Sequence, residues 1–472
     1  MRVGLRLLAA VAMVVSVLVG GPVAAAVGST AAGSTAAAGR QSYSGVIDGA
    51  RYRVEVPEHW NGTLMLYSHG YVPAGFQFPG LPVTNAPATE TWLLDHGYAL
   101  AASQFQHDGV GFLVEQALGD QIRLLDWFTG HVGRPRQTVA TGQSMGAAMA
   151  VLLAERNPGR FAGVATVCGE YDLAASWNMI LDIEFAVRTL LAPGQEIDLV
   201  HPRDPAGSTQ ALAAAVERAV TTPQGRARLA LAAAFGNVTG WYSALQPAPT
   251  ELAGWIRQQA QWIEYADILG LGPTARADLE LRAGGNPSFN VGIDYRRQLA
   301  RSSQRTVVLQ AYRQAGLDLG ADLDRLAAAP RIGADPAAAE YLHRYGVPSG
   351  ITRVPVLTMK TTGDGGAVPD HDRWYAGQVR RAGDPSQLRQ LFVERGMHCS
   401  FSAADEIVGL TTLLQRVRSG HWPAVDPGRL NAAAAQFDSQ YRLVFDLATF
   451  QYGPMPPAFV RYTPPVPLRP SA

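Results

Sequence analysis

The sequence predicts an α/β fold: a mostly parallel sheet flanked by helices, with one large helical insertion. Three observations predict it. Short apolar runs alternate with helix-spaced segments as far as Cys168, the alternation stops between residues 171 and 350, and it resumes from residue 354. Strand–helix alternation marks a parallel sheet, because each parallel pair needs a long crossover over one face. A gap in the alternation followed by its return marks an insertion inside one domain.

The elements follow in order. Residues 42–48 and 52–57 read as two short strands. Residues 63–68 (TLMLYS) form a largely apolar run, the mark of a strand buried on both faces. His69-Gly70-Tyr71 ends that strand in a loop rich in Pro and Gly. A helix over 89–95 precedes a strand over 98–103. Residues 114–128 carry helical apolar spacing at Leu118, Ile122, Leu125 and Trp127. Then come a strand over 137–141, a helix over 145–155 and a strand over 163–168. After the insertion the pattern predicts a strand over 354–361, a helix over 372–381, a strand over 388–394 and a helix over 403–417. The core is therefore expected over 41–170 and 351–472, with a helical cap over 171–350. The Pro-rich tail after Pro423 is expected to wrap the surface.

Composition excludes several functions. The chain has 472 residues, 47% hydrophobic and 17% charged, which suits a large core and not a disordered chain. Net charge is zero, with 39 basic and 39 acidic residues, so no basic field exists to hold nucleic acid or an anionic membrane. Lys360 is the one lysine; with the heavy Ala and Gly usage, this reads as coding bias.

The amino terminus reads as a secretory signal over 1–26. Arg2 and Arg6 precede an apolar run over 7–19, and Ala24 and Ala26 suit a cleavage site. The run is short for a membrane anchor and is broken by Gly20, Gly21 and Pro22. The mature protein is expected to be secreted, without a stable membrane anchor. Residues 27–40 read as a flexible leader.

Gly142-Gln143-Ser144-Met145-Gly146 is a G-x-S-x-G pattern between a strand and a helix. A sharp turn there lifts the Ser side chain above the sheet, and the helix N-terminus offers N–H groups where an oxyanion would form. The five residues alone are a weak signal; the flanking strand and helix make them a strong one. A strand, this motif, a helix, a later Asp after a strand and a late His together resemble the α/β-hydrolase superfamily. The resemblance covers roughly 42–172 and 352–421, and the insertion matches only in position, where the superfamily often carries a cap.

The resemblance implies a catalytic triad. His398 directly follows the last strand, where the base of these enzymes lies, and the order Ser, Asp, His is kept. Asp364 follows the strand over 354–361 and is the expected acid. Val368-Pro369 comes one residue later than usual, which leaves Asp370, and then Asp372, as alternatives. The oxyanion hole is expected from the main-chain N–H groups of Met145 and Tyr71. Most other histidines lie beside turn signals; His107, near Asp108, is a candidate for the pocket wall. Trp177 and Met179, early in the cap, are further candidates, although cap aromatics more often form the cap's own core.

The only cysteines, Cys168 and Cys399, both belong near the catalytic edge of the sheet. Export favours a bridge between them; two buried free thiols are the alternative. The arrangement is similar to secreted tannases and feruloyl esterases, where a Cys beside the Ser bridges a Cys beside the His. Here Gln143 stands where the first would be, which argues against membership.

No H-E-x-x-H run, cysteine cluster or phosphate loop is present, so no metal or cofactor is expected. The expected activity is hydrolysis of a small-molecule carboxylic ester with an apolar acyl group. An amidase or exopeptidase on the same triad is the alternative; a free amino terminus would need acidic groups under the cap, with Asp182, Glu184 and Glu264 as candidates. A non-catalytic binding protein on this fold is the alternative of another class. The sequence carries no reading of oligomeric state.

Overall fold

The computed structural model describes residues 39–76 and 80–471, so the expected signal segment and nearly all of the leader lie outside the described residues. The strands are β1 (Gln41–Ile47), β2 (Ala50–Val56), β3 (Thr63–Ser68), β4 (Ala99–Ser103), β5 (Gln137–Gln143), β6 (Gly163–Val167), β7 (Val356–Gly363) and β8 (Leu388–Gly396), then the short β9 (Leu443–Asp446), β10 (Gln451–Pro454) and β11 (Phe459–Val460). The main sheet runs β1-β2-β4-β3-β5-β6-β7-β8-β11. Strands β4, β3, β5, β6, β7 and β8 are mutually parallel, while β1, β2 and β11 pair antiparallel at the two edges.

Burial follows this order. Every residue of β3 is buried, because β4 and β5 flank it and helices cover both faces. Edge strand β1 is mostly exposed. On one face lie α1 (Pro87–Asp95) and, on the other, α2 (Val114–His131) and α3 (Met145–Arg156), the last buried over its first nine residues. This is the α/β-hydrolase fold that the motif order implies.

The cap follows β6 as expected. It comprises α4 (Leu173–Leu191), α5 (Pro205–Ala219), α6 (Pro223–Ala234), α7 (Leu252–Trp262), a π-helical stretch (Ile263–Gly270), α8 (Pro273–Ala283), α9 (Tyr295–Arg301), α10 (Arg305–Ala315), α11 (Leu319–Ala328) and α12 (Pro336–Gly346). Asp172 caps α4 by accepting from the Ala175 N–H at 2.9 Å, and it stands where the chain leaves the sheet. Phe185, Phe235, Trp262, Leu229 and Leu231 form the cap's own core. After β7 the chain enters α13 (Asp370–Ala382), and after β8 it enters α14 (Ala403–Ser419).

The tail does not simply wrap the surface. Strand β11 extends the main sheet beside β8, and Arg469, only 9% exposed, ion-pairs with the buried Asp182 of α4. Arg469 also donates to the Phe289 carbonyl at 2.6 Å, and the Ser471 N–H donates to Asp172 at 2.8 Å. Buried polar atoms demand partners, and the tail supplies them at the junction of core and cap.

Candidate active site

Strands β5, β6, β7 and β8 are neighbours, and the chemistry hangs off their consecutive C-terminal ends. Ser144 follows β5, Cys168 follows β6, Asp364 follows β7 and His398 follows β8. Ser144 holds φ 53° and ψ −127°, an unfavourable conformation for a residue with a side chain. The two motif glycines make that turn possible. A Cβ on Gly142 would lie 2.2 Å from the Gly146 carbonyl oxygen, and one on Gly146 would lie 2.2 Å from that of Ser68. Cys168, Met397 and Cys399 also hold positive φ, at 46°, 70° and 56°. Each such residue costs roughly 1–3 kcal/mol, and their grouping at one sheet edge is the usual signature of a functional site.

The three expected side chains meet. The Ser144 hydroxyl lies 2.9 Å from His398 Nε2, and His398 Nδ1 lies 2.9 Å from Asp364 Oδ2. With Nδ1–H donating to the carboxylate, Nε2 keeps a lone pair for the Ser proton. The other Asp364 oxygen accepts the N–H groups of Gly366 at 3.0 Å and Ala367 at 2.9 Å. Asp364 is fully buried, and the His398 side chain is 10% exposed.

The alternatives for the acid point elsewhere. Asp370 accepts from Asn237 of the cap at 2.9 Å, and Asp372 accepts from Thr358 at 2.9 Å. Gly365 and Gly366 lie in the loop between Asp364 and Val368-Pro369. Trp262 of the cap lies on that loop, so close that a Cβ on Gly365 would sit 2.6 Å from its Nε1.

The loop after β3 closes on Ser144. A Cβ on Gly70 would lie 3.1 Å from Ser144 Cβ. His69 shapes this loop: its ring nitrogens lie 2.7 Å from the Gly70 carbonyl oxygen and 3.1 Å from that of Gln104, and the ring stacks on Phe105. Burial lowers the His69 pKa, and the two carbonyls oppose that fall. Beside Tyr71 opens a cleft of about 240 Å³, lined by Pro73, Val110, Ala206, Leu269 and Ala275, with Thr209 and Asp278 at polar positions.

Cys168 and Cys399 form a disulfide, with Cα atoms 5.1 Å apart, that spans β7 and ties the base loop to the end of β6. Cys168, His398 and Cys399 are the one grouping of metal-ligating residue types found among the described residues. Both sulfurs are in the bridge, so neither is a thiolate able to ligate.

Three pocket expectations need correction. His107 is exposed, on a short turn outside the buried surroundings of Ser144. Trp177 is 1% exposed and packs edge-on against Phe112, with the Arg276 guanidinium over its ring, so it joins cap to core. Met179 belongs to the cap core and faces a small internal cavity bounded by Phe235, His371 and Trp374. Helical position alone does not separate a pocket wall from a packed face.

One residue that escaped sequence reasoning lies close to Ser144 and His398. Glu170, 7% exposed, donates its main-chain N–H to the Ser144 carbonyl at 3.3 Å. Burial raises its pKa, and the nearby His398 and Lys360 oppose that rise. Asp267 and Glu184 lie beyond it in the cap. Burial pushes Glu184 up to about 8, and burial together with Glu184 and Glu170 holds Asp267 well above the usual carboxylate range. Glu184 is one of the acidic groups expected under the cap; no sequence signal marked Glu170 or Asp267.

With this geometry in hand, comparison with known sequences is decisive at the family level. The profile of the tannase-like family of unknown function (DUF6351) matches residues 36–383. The chain belongs to this family. The tannase-like profile spans Ser144 and Asp364. Gln143 therefore does not set the chain apart from tannase-like sequences, as its place beside the serine suggested. The structure supplies a reason: Cys168, at the end of the neighbouring strand, makes the bridge instead. A curated relative, the o-phthalyl amidase of Xanthobacter agilis, is 28% identical over 428 residues, covering 82% of this chain and 89% of that protein. Among solved structures, an esterase from Aspergillus oryzae matches at 11% identity and a TM-score of 0.36, over 81% of this chain and 80% of the other. Candida antarctica lipase A in its closed state matches at 12% identity and a TM-score of 0.35, over 82% and 78%. At such scores the fold rests on the strand order itself.

Proposed function

We propose that this tannase-like protein is an exported serine hydrolase that cleaves carboxylic esters or amides through an acyl-enzyme on Ser144. The unbroken line from Ser144 through His398 to Asp364, with 2.9 Å at each step, carries the proposal. In the proposed reaction the Ser144 oxygen attacks the substrate carbonyl carbon as His398 Nε2 takes its proton. Asp364 holds the imidazole in orientation and stabilises the imidazolium. The main-chain N–H groups of Met145 and Tyr71 receive the oxyanion; the first turn of α3 and the closeness of Gly70 to Ser144 support that role. His398 then returns the proton to the leaving group, and water releases the acid by the same route.

The cleft beside Tyr71 is the proposed seat for one arm of the substrate. Its largely apolar wall suits an uncharged aliphatic or aromatic group. The amide reading is favoured by the relative named o-phthalyl amidase, and esters follow because the same triad acts more readily on a better leaving group. Export rests on the segment over 1–26 and on a disulfide, a bond that persists in oxidising compartments.

The test pairs p-nitrophenyl esters with matched acyl anilides on the purified protein and its Ser144→Ala form. Ser144→Ala is expected to lower kcat on the order of a millionfold with the fold intact. Turnover that survives in Ser144→Ala refutes the acyl-enzyme, and an anilide-to-ester ratio near zero refutes the amide reading.

A further inference from the structure

We infer that Lys360 is a positioning residue for this reaction: its buried ammonium holds the acid loop in register with the end of β6. The chain carries 39 basic residues, and Lys360 is the one lysine among them. Coding bias accounts for arginine everywhere else. It does not account for the single exception, which lies at full burial under the triad.

The contacts explain the exception. Lys360 Nζ donates to the Gly169 carbonyl at 2.7 Å and to the Ala367 carbonyl at 2.8 Å, and it faces Asp372 Oδ2 at 3.6 Å. The first acceptor belongs to the loop after β6, between Cys168 and Glu170. The second belongs to the loop after β7 that carries Asp364. Ala367 is gripped at both ends, for its N–H donates to Asp364 Oδ1 while its carbonyl accepts from Lys360. A continuous line therefore runs from the ammonium through Ala367 to Asp364, His398 and Ser144. An ammonium is a compact charge whose three donors fan out, which suits two carbonyls and a carboxylate from three segments; a planar guanidinium is wider and points its donors in a fixed fork.

The charged surroundings are consistent with one central cation. Glu170 lies near it from the loop after β6, and Asp370, His371 and Asp372 from α13. Lys360 opposes the burial-driven rise of Glu170, Asp370 and Asp372, and it adds to the fall of His371.

The inference rests on the serine-hydrolase reading, and Ser144→Ala is the control that isolates it. The probes are p-nitrophenyl butyrate for kcat and KM, and a fluorophosphonate for the labelling rate of Ser144, each set beside the melting temperature. Three variants are compared: Lys360→Met, Lys360→Met with Asp372→Asn, and Lys360→Arg. Lys360→Met leaves Asp372 unpaired and is expected to lose stability. The double variant is expected to regain melting temperature, because Asp372 no longer leaves a lone buried charge. Neither it nor Lys360→Arg is expected to regain rate: kcat and labelling stay at least about tenfold down, with KM within about twofold, as a displaced acid loop requires. A rate that returns with melting temperature in the double variant, or a Lys360→Arg enzyme of full rate, overturns the inference. Turnover and labelling that persist in Ser144→Ala overturn the hydrolase reading instead.

Discussion

Two buried ion pairs of the core and two buried carboxyls of the cap handle charge in opposite ways. In the core, Lys360 is paired with Asp372 and Arg395 with Asp405 at 2.8 Å, the last pair wholly buried and joining β8 to α14. In the cap, Glu184 and Asp267 are buried without a cation in contact, and neither Glu184 oxygen has a hydrogen bond. A paired charge fixes geometry, which is what a triad needs. An unpaired carboxyl in a dry place takes up a proton and becomes a neutral polar group. The two regions should therefore answer differently to mutation and to pH.

The largest expected effect lies in the core. Asp364→Asn should lower kcat about ten-thousandfold, because an amide there stabilises the wrong imidazole tautomer. Asp370→Asn should barely change kcat, since Asp370 bonds Asn237 of the cap rather than His398. Steady-state kinetics on one ester decide between them. A collapse in Asp370→Asn with survival of Asp364→Asn would exchange the two assignments.

The next effect lies where the tail joins the regions. Asp182 is a cap carboxylate that does have a cation, and Arg469 supplies it from the far end of the chain. Arg469→Ala leaves Asp182 with only the Tyr295 hydroxyl and the Gln298 amide, at 2.8 and 3.1 Å. Removing one partner of a buried pair costs about 3–5 kcal/mol, so the melting temperature should fall by several degrees. Hydrogen exchange should rise in α4 and α9 before it rises in β5 or β7. Uniform exchange would show that the tail does not fasten the cap in particular.

These differences also explain what could be read in advance. The sheet was legible because parallel strands buried on both faces make short, continuous apolar runs such as residues 63–68 and 163–167. The meeting of Ser144, His398 and Asp364 was legible because each follows a strand end, a position that a linear sequence displays. The pocket was not. Trp177, Met179 and Trp262 are all aromatic or apolar residues on helices, and only the crossing of helices distinguishes the one that rests against the acid loop from the two that pack elsewhere. The tail misled for a related reason: proline-rich segments lack helical or strand periodicity, yet Arg469 reaches a carboxylate nearly three hundred positions away. Lys360 was visible as a count and silent as a contact.

The smallest effect, and the most direct reading of the contrast, is the pH response of Glu184. Its pKa rises from 4.5 to about 8 in the folded protein, chiefly through burial, with Arg276 and Arg188 only partly opposing. A raised carboxyl pKa means that the folded state binds a proton more tightly than the unfolded state. Below about 4.5 both states hold that proton and Glu184 imposes no charge penalty. As pH rises from there toward 8 the unfolded chain releases its proton first, so this group's contribution falls throughout that window and then levels off. Glu184→Gln removes the dependence while keeping the shape. The variant should therefore gain on the parent protein as pH is raised from 5 to 8, by a few kcal/mol at most, because opening of the cap relieves part of the strain locally. Melting curves across that range give the answer. Parallel curves for parent and variant would mean that Glu184 keeps its charge and that the cap, like the core, holds a counter-ion for it.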